Sequence, residues 1–527
     1  MIPLTLTELA EAVGGTLTDA PDPAARVTGD VELDSRRIGP GGLFVALAGE
    51  RVDGHEHARG AVAAGAVAVL AARPVGVPAV VVPDVPAALA RLASAVLARL
   101  PEVTVIGITG SSGKTSTKDL VAQLLATLGP TVAPPGSFNN ELGHPYTVLR
   151  ATERTRYLVL EKSSRGRGHI AWLTRIARPR IGVVLNVGSA HLGEFGSREA
   201  VAASKGELVE ALPAAAEGGV AVLNADDPLV AAMASRTTAR VVTFGEGAGA
   251  DVRAVDVRLD DRGRPAYRLV TTGGEVGVRL GTYGAHQVPN SLAAAAVAIE
   301  LGMPLPALAA ALAEARPLSR WRMEVTERAD GVLVVNDAYN ANPESMAAAL
   351  RALETMARGR RSWAVLGAMG ELGESAAEEH RRVGELAARI GVDRLVVVGA
   401  EAAPIAAAAR VAAGAGIVRP RPVDGGPVDD GSARGGPVRG GPVRGGPVGG
   451  GLVADQSEQD GGGPAGAGES GWTGTSAHVP DVDAAVALLR AELRPGDVVL
   501  VKASRAAGLE RVALALTGPT APAGVAR

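Results

Sequence analysis

Residues 103–118 read VTVIGITGSSGKTSTK, and this stretch predicts the local fold around it. The apolar run from Val103 to Ile108 predicts a buried strand, which ends before Gly110. A helical pattern with apolar residues on one face begins near Lys114. A glycine loop between a strand and a helix start presents backbone N–H groups and the positive end of the helix to a phosphate. The stretch therefore predicts a phosphate-binding loop in an α/β domain.

The loop T-G-S-S-G-K-T is shorter than the full phosphate-loop pattern, because Ile108 stands where that pattern has its first glycine. Lys114 is placed to reach the β- and γ-phosphates of a nucleotide, and the Thr115 hydroxyl to face Mg²⁺. A glycine- and serine-rich turn that precedes a lysine by chance is the alternative, and the flanking strand and helix favour the nucleotide site. The candidate ATP-binding residues of the loop are Gly110, Ser111, Ser112, Gly113, Lys114, Thr115 and Ser116.

The composition limits the class of protein. The length of 527 residues favours about three domains. Hydrophobic residues make up 47% and aromatic residues only 2%, so the cores are aliphatic. A net charge of −3 gives no reason to expect nucleic acid as a partner, and the absence of cysteine excludes disulfides and thiolate metal sites. We see no secretion signal and no apolar run long enough to span a bilayer, so we expect a soluble, cytoplasmic protein without membrane insertion.

Strand and helix patterns alternate over most of the chain and divide it into three units. Residues 1–100 form a small N-terminal unit whose first helix opens with a capping box from Thr5 to Glu8. Residues 101–316 and 317–527 alternate strands with helical patterns, which favours α/β units with mostly parallel sheets. The strand candidates of these two units are 103–108, 157–161, 181–186, 220–224, 332–336, 362–366, 394–398 and 497–501.

Residues 419–475 have a different composition. The unit Gly-Gly-Pro-Val recurs four times and is followed by a tail rich in Gly, Ser, Asp and Glu. Such a segment buries too little side chain to offset the entropy of ordering it. We therefore predict a disordered insertion in a surface loop of the third unit.

Strand ends are the positions where open α/β sheets bind their ligands. In the second unit Glu161 ends a strand, His191 lies just past another, and Lys205 lies at the start of a helix. Each alone has an ordinary alternative as a solvated or hydrogen-bonding residue. Other strand candidates also run into a polar or glycine residue, namely Asn186, Asn224, Asp337, Gly367, Gly399 and Lys502.

Six motifs in one order make the chain recognisable. They are TGSSGKTS, NNELGHP at 139–145, NVGSAHLGEFGS at 186–197, SKGEL at 204–208, RWRME at 320–324 and NDAYNANP at 336–343. Together they resemble those of the Mur ligase family, ATP-dependent enzymes that build the peptide of cell-wall precursors. The resemblance covers the whole chain except residues 419–475. It implies a UDP-substrate domain, a central ATPase domain with a parallel sheet, and a Rossmann-like C-terminal domain.

The resemblance also implies site residues and cofactors. It implies that Lys114 holds the ATP phosphates. The implied cofactors are ATP, two Mg²⁺ ions and a CO₂-derived carbamate on Lys205. A carbamate converts a cationic amine into the oxygen ligand that Mg²⁺ prefers. By role, the implied residues are Lys114, His191 and Lys205 for catalysis; Thr115, Glu161, His191 and Lys205 for metal; Asn290, Arg322 and Asp337 for the nucleotide; Ser35, Arg36, Asp53, Gly54 and His55 for the UDP part of the substrate; and Asn139 and Asn140 for the peptide.

Several segments are most similar to those of the family member that joins D-alanyl-D-alanine to a UDP-N-acetylmuramoyl tripeptide through an acyl phosphate. Those segments are N-N-E-L-G-H-P, Y-N-A-N-P, Asp34-Ser-Arg-Arg and Asp53-Gly-His. A sibling ligase that adds one amino acid, a folate polyglutamate synthase, a P-loop kinase or motor, and a non-catalytic binding protein are the alternatives.

One departure from the family pattern stands beside the metal site. Lys162 follows Glu161, where the family has methionine, and strand alternation predicts that its side chain points away from the metal that Glu161 faces. An ammonium on the metal side would compete with Mg²⁺.

Overall fold

The structure, a computed structural model, describes residues 1–49, 52–188, 195–414 and 472–518. Within these residues the chain forms sheets of five, nine and six strands and one two-stranded ribbon. The α/β class and the three-unit architecture predicted from the sequence are confirmed. His191 and residues 419–471 of the predicted insertion lie outside the described residues.

The first sheet belongs to the N-terminal unit, and its strand order is β2-β7-β6-β5-β4. The predicted capping box is present: the Thr5 hydroxyl accepts from the Glu8 N–H at 3.1 Å, and Gly14 closes the helix with φ +62°. The elements are β1 Leu4–Thr5, α1 Leu6–Val13, β2 Thr16–Thr18, β3 Arg26–Val27, β4 Val31–Glu32, β5 Gly42–Val45, α2 Ala58–Ala63, β6 Ala66–Ala71, β7 Ala79–Val81 and α3 Val85–Ala98.

The nine-stranded sheet forms the central unit in the order β16-β15-β14-β13-β12-β11-β8-β10-β9. It is parallel from β9 to β14, and β14, β15 and β16 form an antiparallel meander. The strands are β8 Thr104–Thr109, β9 Thr131–Val132, β10 Tyr157–Glu161, β11 Ile181–Val184, β12 Val220–Asn224, β13 Arg240–Gly245, β14 Val252–Leu259, β15 Pro265–Thr271 and β16 Gly274–Arg279. The helices are α4 Lys114–Ala126, α5 Gly143–Val148, α6 His169–Ile176, α7 Arg198–Glu210, α8 Pro228–Ala231, α9 Gln287–Glu300 and α10 Leu305–Glu314.

The six-stranded sheet of the third unit has the order β17-β18-β22-β19-β20-β21, with only the edge strand β17 antiparallel. Apolar clusters cover both of its faces, as a parallel sheet requires. Its elements are β17 Glu324–Glu327, β18 Leu333–Asn336, α11 Pro343–Met356, β19 Ser362–Leu366, α12 Ala376–Arg389, β20 Arg394–Val398, α13 Ala403–Gly414, β21 Thr475–Val479, α14 Val482–Glu492, β22 Val498–Lys502 and α15 Glu510–Thr517.

All eight strand candidates of the second and third units are strands, four of them with the predicted bounds. Two details differ. Lys205 lies in the middle of α7, which begins at Arg198 because the Ser197 hydroxyl caps it, so its predicted position at a helix start is wrong. Residues 472–475, predicted as the end of the disordered insertion, belong to the fold: Trp472 is buried and its Nε1–H donates to the Val392 carbonyl at 2.8 Å, and strand β21 begins at Thr475.

The N-terminal and central units share one apolar cluster, in which helix α3 packs beside α5. Across this contact the Tyr146 hydroxyl donates to the buried Glu32 carboxylate at 3.2 Å. Among the described residues no helix is long and apolar enough to cross a membrane.

Candidate functional site

The phosphate-loop segment has the predicted geometry. Strand β8 ends at Thr109 and α4 begins at Lys114, so the loop joins a strand end to a helix N-terminus. Gly113 has φ +80°, and a Cβ there would collide with the Asn290 amide oxygen, so the position requires glycine on both counts. The helix start therefore presents free backbone N–H groups beside Asn290, which was predicted to lie near the adenosine.

Asn186, just beyond strand β11, is hydrogen-bonded to the backbone of this loop. Its amide oxygen accepts from the Ser111 N–H at 3.0 Å and the Ser112 N–H at 2.9 Å, and its amide nitrogen donates to the Ser112 carbonyl at 3.2 Å. These bonds occupy the first two N–H groups of the loop, which leaves those at the start of α4 for an anion. The sequence marks Asn186 only as a polar strand end and predicts no role for it.

The carboxylate of Glu161, at the end of strand β10, is hydrogen-bonded to a residue that follows the loop. Glu161 is buried at 1% exposure; its Oε2 accepts from the Thr115 hydroxyl at 2.9 Å and its Oε1 from the Asn139 amide at 2.6 Å. The Thr115 hydroxyl also lies 2.8 Å from the Ser137 hydroxyl. The predicted metal residues Thr115 and Glu161 and the predicted peptide residue Asn139 are thus brought together.

One lysine of the loop lies near this carboxylate, and a second, buried lysine lies within electrostatic reach of the first. The Lys114 ammonium donates to the Gly110 carbonyl at 2.7 Å; burial lowers its pKa, and the Glu161 charge raises it in part. Lys205 is 4% exposed, and burial, with the nearby Lys114 charge second, lowers its pKa well below the ordinary lysine value. Low pKa values from burial and a like charge are typical of lysines with chemical roles.

The third unit brings its own charged residues to the opposite side. Arg322 donates from Nη2 to the Ser137 hydroxyl at 2.8 Å and stacks over Tyr339, with its guanidinium carbon 4.3 Å from the ring centroid. Asp337, at the end of β18, accepts from the Met323 N–H at 3.0 Å and from the buried Lys502 ammonium at 2.6 Å. Both residues predicted to contact the nucleotide therefore face the phosphate loop.

One cavity of about 510 Å³ joins these parts. Eleven of the predicted residues named above line it directly, and Gly110 reaches it only through the bond from Lys114. The predicted residues on the cavity wall are Ser111, Ser112, Gly113, Lys114, Thr115, Ser116, Asn139, Glu161, Asn290, Arg322 and Asp337. Lys205 lies behind the wall, within electrostatic reach of Lys114.

Asn140 has a structural position rather than a place on this wall. Its amide oxygen accepts from the Gly143 N–H at 2.9 Å, and its carbonyl accepts from the His144 N–H at 2.9 Å. These bonds hold the first turn of α5. Asn140 thereby orders the segment that carries Asn139.

The five residues predicted to bind the UDP part lie in the N-terminal unit, away from the central cavity. The side chain of His55 is buried: its Nε2 accepts from the Ala72 N–H at 2.9 Å, so Nδ1 carries the proton and donates to Asp53 at 2.6 Å. Asp53 also accepts from Arg73, which lowers the pKa of that carboxyl. Both ring nitrogens of His55 are thus engaged within the protein, whereas Arg36 is exposed and paired with Asp34.

Lys162 points to the opposite face of the sheet from Glu161, as strand alternation predicts. Its ammonium is fully buried and lies 3.0 Å from His144 Nε2, 3.2 Å from the Leu173 carbonyl and 3.3 Å from the Ala177 carbonyl. Three acceptors match the three N–H donors of an ammonium, and the two carbonyls belong to the C-terminal end of α6. Lys162 is therefore part of the core and adds no charge to the metal side.

Further residues that the sequence does not assign to the site also line the cavity, among them Ser137, Asn186, His286, Glu371 and Lys502. Lys502 and Asn186 carried the strand-end signal. Ser137, in an irregular segment, had no pattern to mark it, and Glu371 lies in a loop where it adopts φ +62°.

The oxygen ligands present fit a magnesium nucleotide. Among the described residues no three His, Cys, Asp or Glu side chains form a cluster that could hold a metal ion. Thr115 and Glu161 supply one hydroxyl and one carboxylate oxygen, and Mg²⁺ in proteins is commonly held by one or two carboxylates together with substrate phosphates. The fold and the site thus define an α/β nucleotide-binding protein whose site is completed by its last unit.

Comparison with known proteins identifies the family. Matching family models are the Mur ligase family, catalytic domain, over residues 29–102, the Mur ligase middle domain over 108–298, and the Mur ligase, glutamate ligase domain, over 321–424. The chain belongs to the Mur ligase family, and it is a ligase with an ATP site.

Among individual relatives, the UDP-N-acetylmuramoyl-tripeptide–D-alanyl-D-alanine ligase of Mycobacterium tuberculosis is 53% identical over 546 aligned positions, covering 98% of each chain. The Escherichia coli ligase of the same name is 37% identical and covers 78% of this chain and 89% of its own. Crystal structures of MurF from Acinetobacter baumannii (TM-score 0.77, 27% identity, 98% and 99% coverage) and of MurF from Thermotoga maritima in complex with ADP (0.68, 29%, 92% and 96%) are similar in fold.

Proposed function

We propose that the chain joins D-alanyl-D-alanine to the peptide carboxylate of a UDP-N-acetylmuramoyl tripeptide, at the expense of ATP, in the cytoplasmic synthesis of peptidoglycan precursors. The observation that carries this proposal is that one cavity combines the phosphate loop, Glu161 and the third-unit pair Asp337–Lys502, in a chain 53% identical over its whole length to a ligase of that name.

The reaction has two steps. A carboxylate oxygen of the tripeptide attacks the γ-phosphorus of ATP, the bond to the β–γ bridging oxygen breaks, and ADP leaves. The amine of the dipeptide, after losing a proton to water, attacks the resulting acyl phosphate; the tetrahedral intermediate then breaks its bond to the phosphate oxygen, and inorganic phosphate leaves while the nitrogen gives up its second proton to the phosphate or to water. No covalent bond to the protein is needed, so positioning and charge stabilisation supply the catalysis.

The residues divide these tasks. Lys114 stabilises the charge on the transferring phosphoryl group, and the N–H groups at the start of α4 bind the phosphates. Arg322 adds a second positive charge from the third unit. Asn139 orients Glu161 through the 2.6 Å bond, and Asn290 packs against Gly113 on the side where we place the adenosine.

Mg²⁺, when bound, neutralises phosphate charge, and we place it on the Thr115 hydroxyl, the Glu161 carboxylate and His191. We also propose a carbamate on Lys205. Reaction with CO₂ requires a neutral amine, and burial lowers the pKa of Lys205 well below the ordinary lysine value. The resulting anion would also attract the positive charge of Lys114.

We propose that residues 1–100 bind the UDP substrate, residues 101–316 bind ATP, and residues 317–527 close over both. In the first domain Ser35, Arg36 and Gly54 are the residues we place against the UDP part. Asp53 and His55 serve there by holding the backbone of the Gly54 turn, because the His55 N–H donates to Asp53 at 3.0 Å and the ring is fully engaged.

The experiment is phosphate release from ATP with the UDP-tripeptide and, in turn, D-alanyl-D-alanine, D-alanine, L-alanine or D-glutamate. A site that holds the carboxylate of a dipeptide places the amine of a single amino acid out of reach, and misplacement on the order of 1 Å costs about 100-fold in rate. We expect turnover with the dipeptide about 100-fold above each amino acid. Faster turnover with any single amino acid would assign the chain to a sibling ligase.

A further inference from the structure

A buried ion pair on helix α4 lies outside the cavity and holds the segment that joins the central unit to the third unit. Lys118 and Asp119 are 2% and 3% exposed and form a salt bridge with each other. They follow the phosphate loop by one helical turn. Neither touches the cavity, so the roles described so far leave the pair without a function.

Asp119 binds the connecting segment. Its Oδ2 accepts from the Ser319 N–H at 2.8 Å and from the Leu318 N–H at 3.2 Å, and its Oδ1 accepts from the Ser319 hydroxyl at 3.1 Å. One turn further along α4, Gln123 exchanges two hydrogen bonds with the backbone of Arg316, at 2.9 and 3.1 Å. Helix α4 therefore holds the connecting segment, residues 316–319, through hydrogen bonds.

Lys118 binds the same segment and a second one. Its ammonium donates to the Ser319 hydroxyl at 3.2 Å and to the Pro134 carbonyl at 2.9 Å. Three residues after Pro134 comes Ser137, and three residues after Ser319 comes Arg322. The pair thus fixes the two segments whose side chains meet at the phosphate site, where Arg322 donates to Ser137 at 2.8 Å.

The backbone between Ser319 and strand β17 is strained. Trp321 and Met323 have φ values of +59° and +49°, which side chains larger than glycine rarely adopt. Such residues persist only where neighbouring contacts hold them, and they concentrate at switch regions. Here the neighbouring contacts are the α4 pair on one side, the stacking of Arg505 over Trp321 and the Asp337 bond to the Met323 N–H on the other.

We infer that Lys118 and Asp119 are positioning residues, which hold the connection so that Arg322 is placed over the ATP phosphates. This inference deepens the proposed function and rests on it for the role of Arg322. A buried ion pair adds little net stability compared with apolar residues of the same size, but the positions of its partners are strictly defined. The Arg322 Nε–H, buried and without an acceptor in the described part of the chain, is the group we expect to meet the nucleotide.

The test is a double-mutant cycle between Asp119→Asn and Arg322→Ala, with affinity for a non-hydrolysable ATP analogue and Mg²⁺ as the readout. Each single variant should lose about 10-fold in affinity. If Asp119 acts through Arg322, adding Asp119→Asn to Arg322→Ala should cost less than 2-fold more, since the effects of two residues that act through one another are not additive. Full additivity, or no loss in either single variant, would overturn the inference. The readout does not involve the acceptor, so failure to ligate the dipeptide would count only against the proposed function.

Two further variants separate positioning from folding. Asp497 is a matched control: it is 3% exposed and accepts from Arg361 at 2.6 Å and from Trp363 Nε1 at 2.9 Å, away from the cavity. Asp497→Asn should lower stability and leave nucleotide affinity unchanged. Should Asp119→Asn fail to fold, Ser319→Ala removes only the hydroxyl bonds to the pair; we expect a loss of about 3-fold, again absent when Arg322 is alanine. An unchanged affinity in Ser319→Ala would then contradict the inference.

Discussion

Two consecutive residues at the end of strand β10 lie in different regions of the molecule. Glu161 faces the cavity, and Lys162 lies in the core on the other side of the sheet; both are buried, at 1% and 0% exposure. Each side chain is hydrogen-bonded to uncharged partners. The three acceptors around Lys162 match its three donors, whereas the carboxylate of Glu161 opens to the cavity beside Thr115. Burial alone therefore does not identify an ionisable side chain as functional. What identifies it is that part of its surroundings remains open to a ligand.

This comparison predicts that changes on the cavity side affect turnover and that changes on the core side affect stability. The largest effect is expected for Lys114→Ala. Its ammonium is held at the loop by the Gly110 carbonyl and has no apolar packing role. Turnover should fall by about 10³-fold, as for other cations that stabilise a transferring phosphoryl group.

The measurement is phosphate release, with the thermal midpoint as the control for folding. The midpoint should shift by less than about 2 °C, which corresponds to roughly 2 kcal/mol in a protein of this size. An unchanged rate of phosphate release would remove the nucleotide-site interpretation and would place Lys114 with Lys162 as a structural lysine.

The second prediction concerns Lys205, a buried lysine that we assign to the cavity side. Lys205→Ala should lose about 100-fold in turnover, the size typical of residues that support a metal site. Acetate or formate should restore part of the activity, because a small carboxylate can occupy the place of the carbamate. A fully active alanine variant that does not respond to added carboxylate would contradict the carbamate and make Lys205 a core residue.

The difference between the two sides also shows what the sequence could predict. The strand, loop and helix around Lys114 are formed by residues that are close in the sequence. The spacing of apolar residues and of glycines was therefore enough to predict them. Asn186 and Lys502 could be noticed as polar residues at strand ends. Their hydrogen-bond partners are distant in the sequence and could not be predicted from it. The bonds from Lys118 to Ser319 span 201 residues and leave no local pattern. His55 shows the converse: its motif was recognised, but only the structure shows both ring nitrogens engaged.

The smallest expected effect is on the core side, where Lys162→Met should change the pH dependence of stability and leave turnover within about 3-fold. Burial lowers the pKa of Lys162 from 10.5 to about 7. Between these values the unfolded chain binds the proton and the folded chain does not. The free energy of unfolding should therefore rise with pH from about 7 to 10.5, by up to about 1.4 kcal/mol per pH unit for this one group, and its contribution should level off below 7, where both the folded and the unfolded chain bind the proton.

Urea unfolding at pH 7.5 and pH 9 would measure this slope in both proteins. Burial also lowers the pKa values of Lys114 and Lys502, so both proteins should gain stability with pH, and the test is the difference between them. Methionine keeps the length of the side chain, and without the ammonium His144 Nε2 can donate to the Leu173 carbonyl, which lies 3.0 Å away. The variant should show a slope smaller by on the order of 1 kcal/mol per pH unit. Equal slopes, or a loss of turnover comparable to that of Lys114→Ala, would show that the division between the two faces of β10 is wrong.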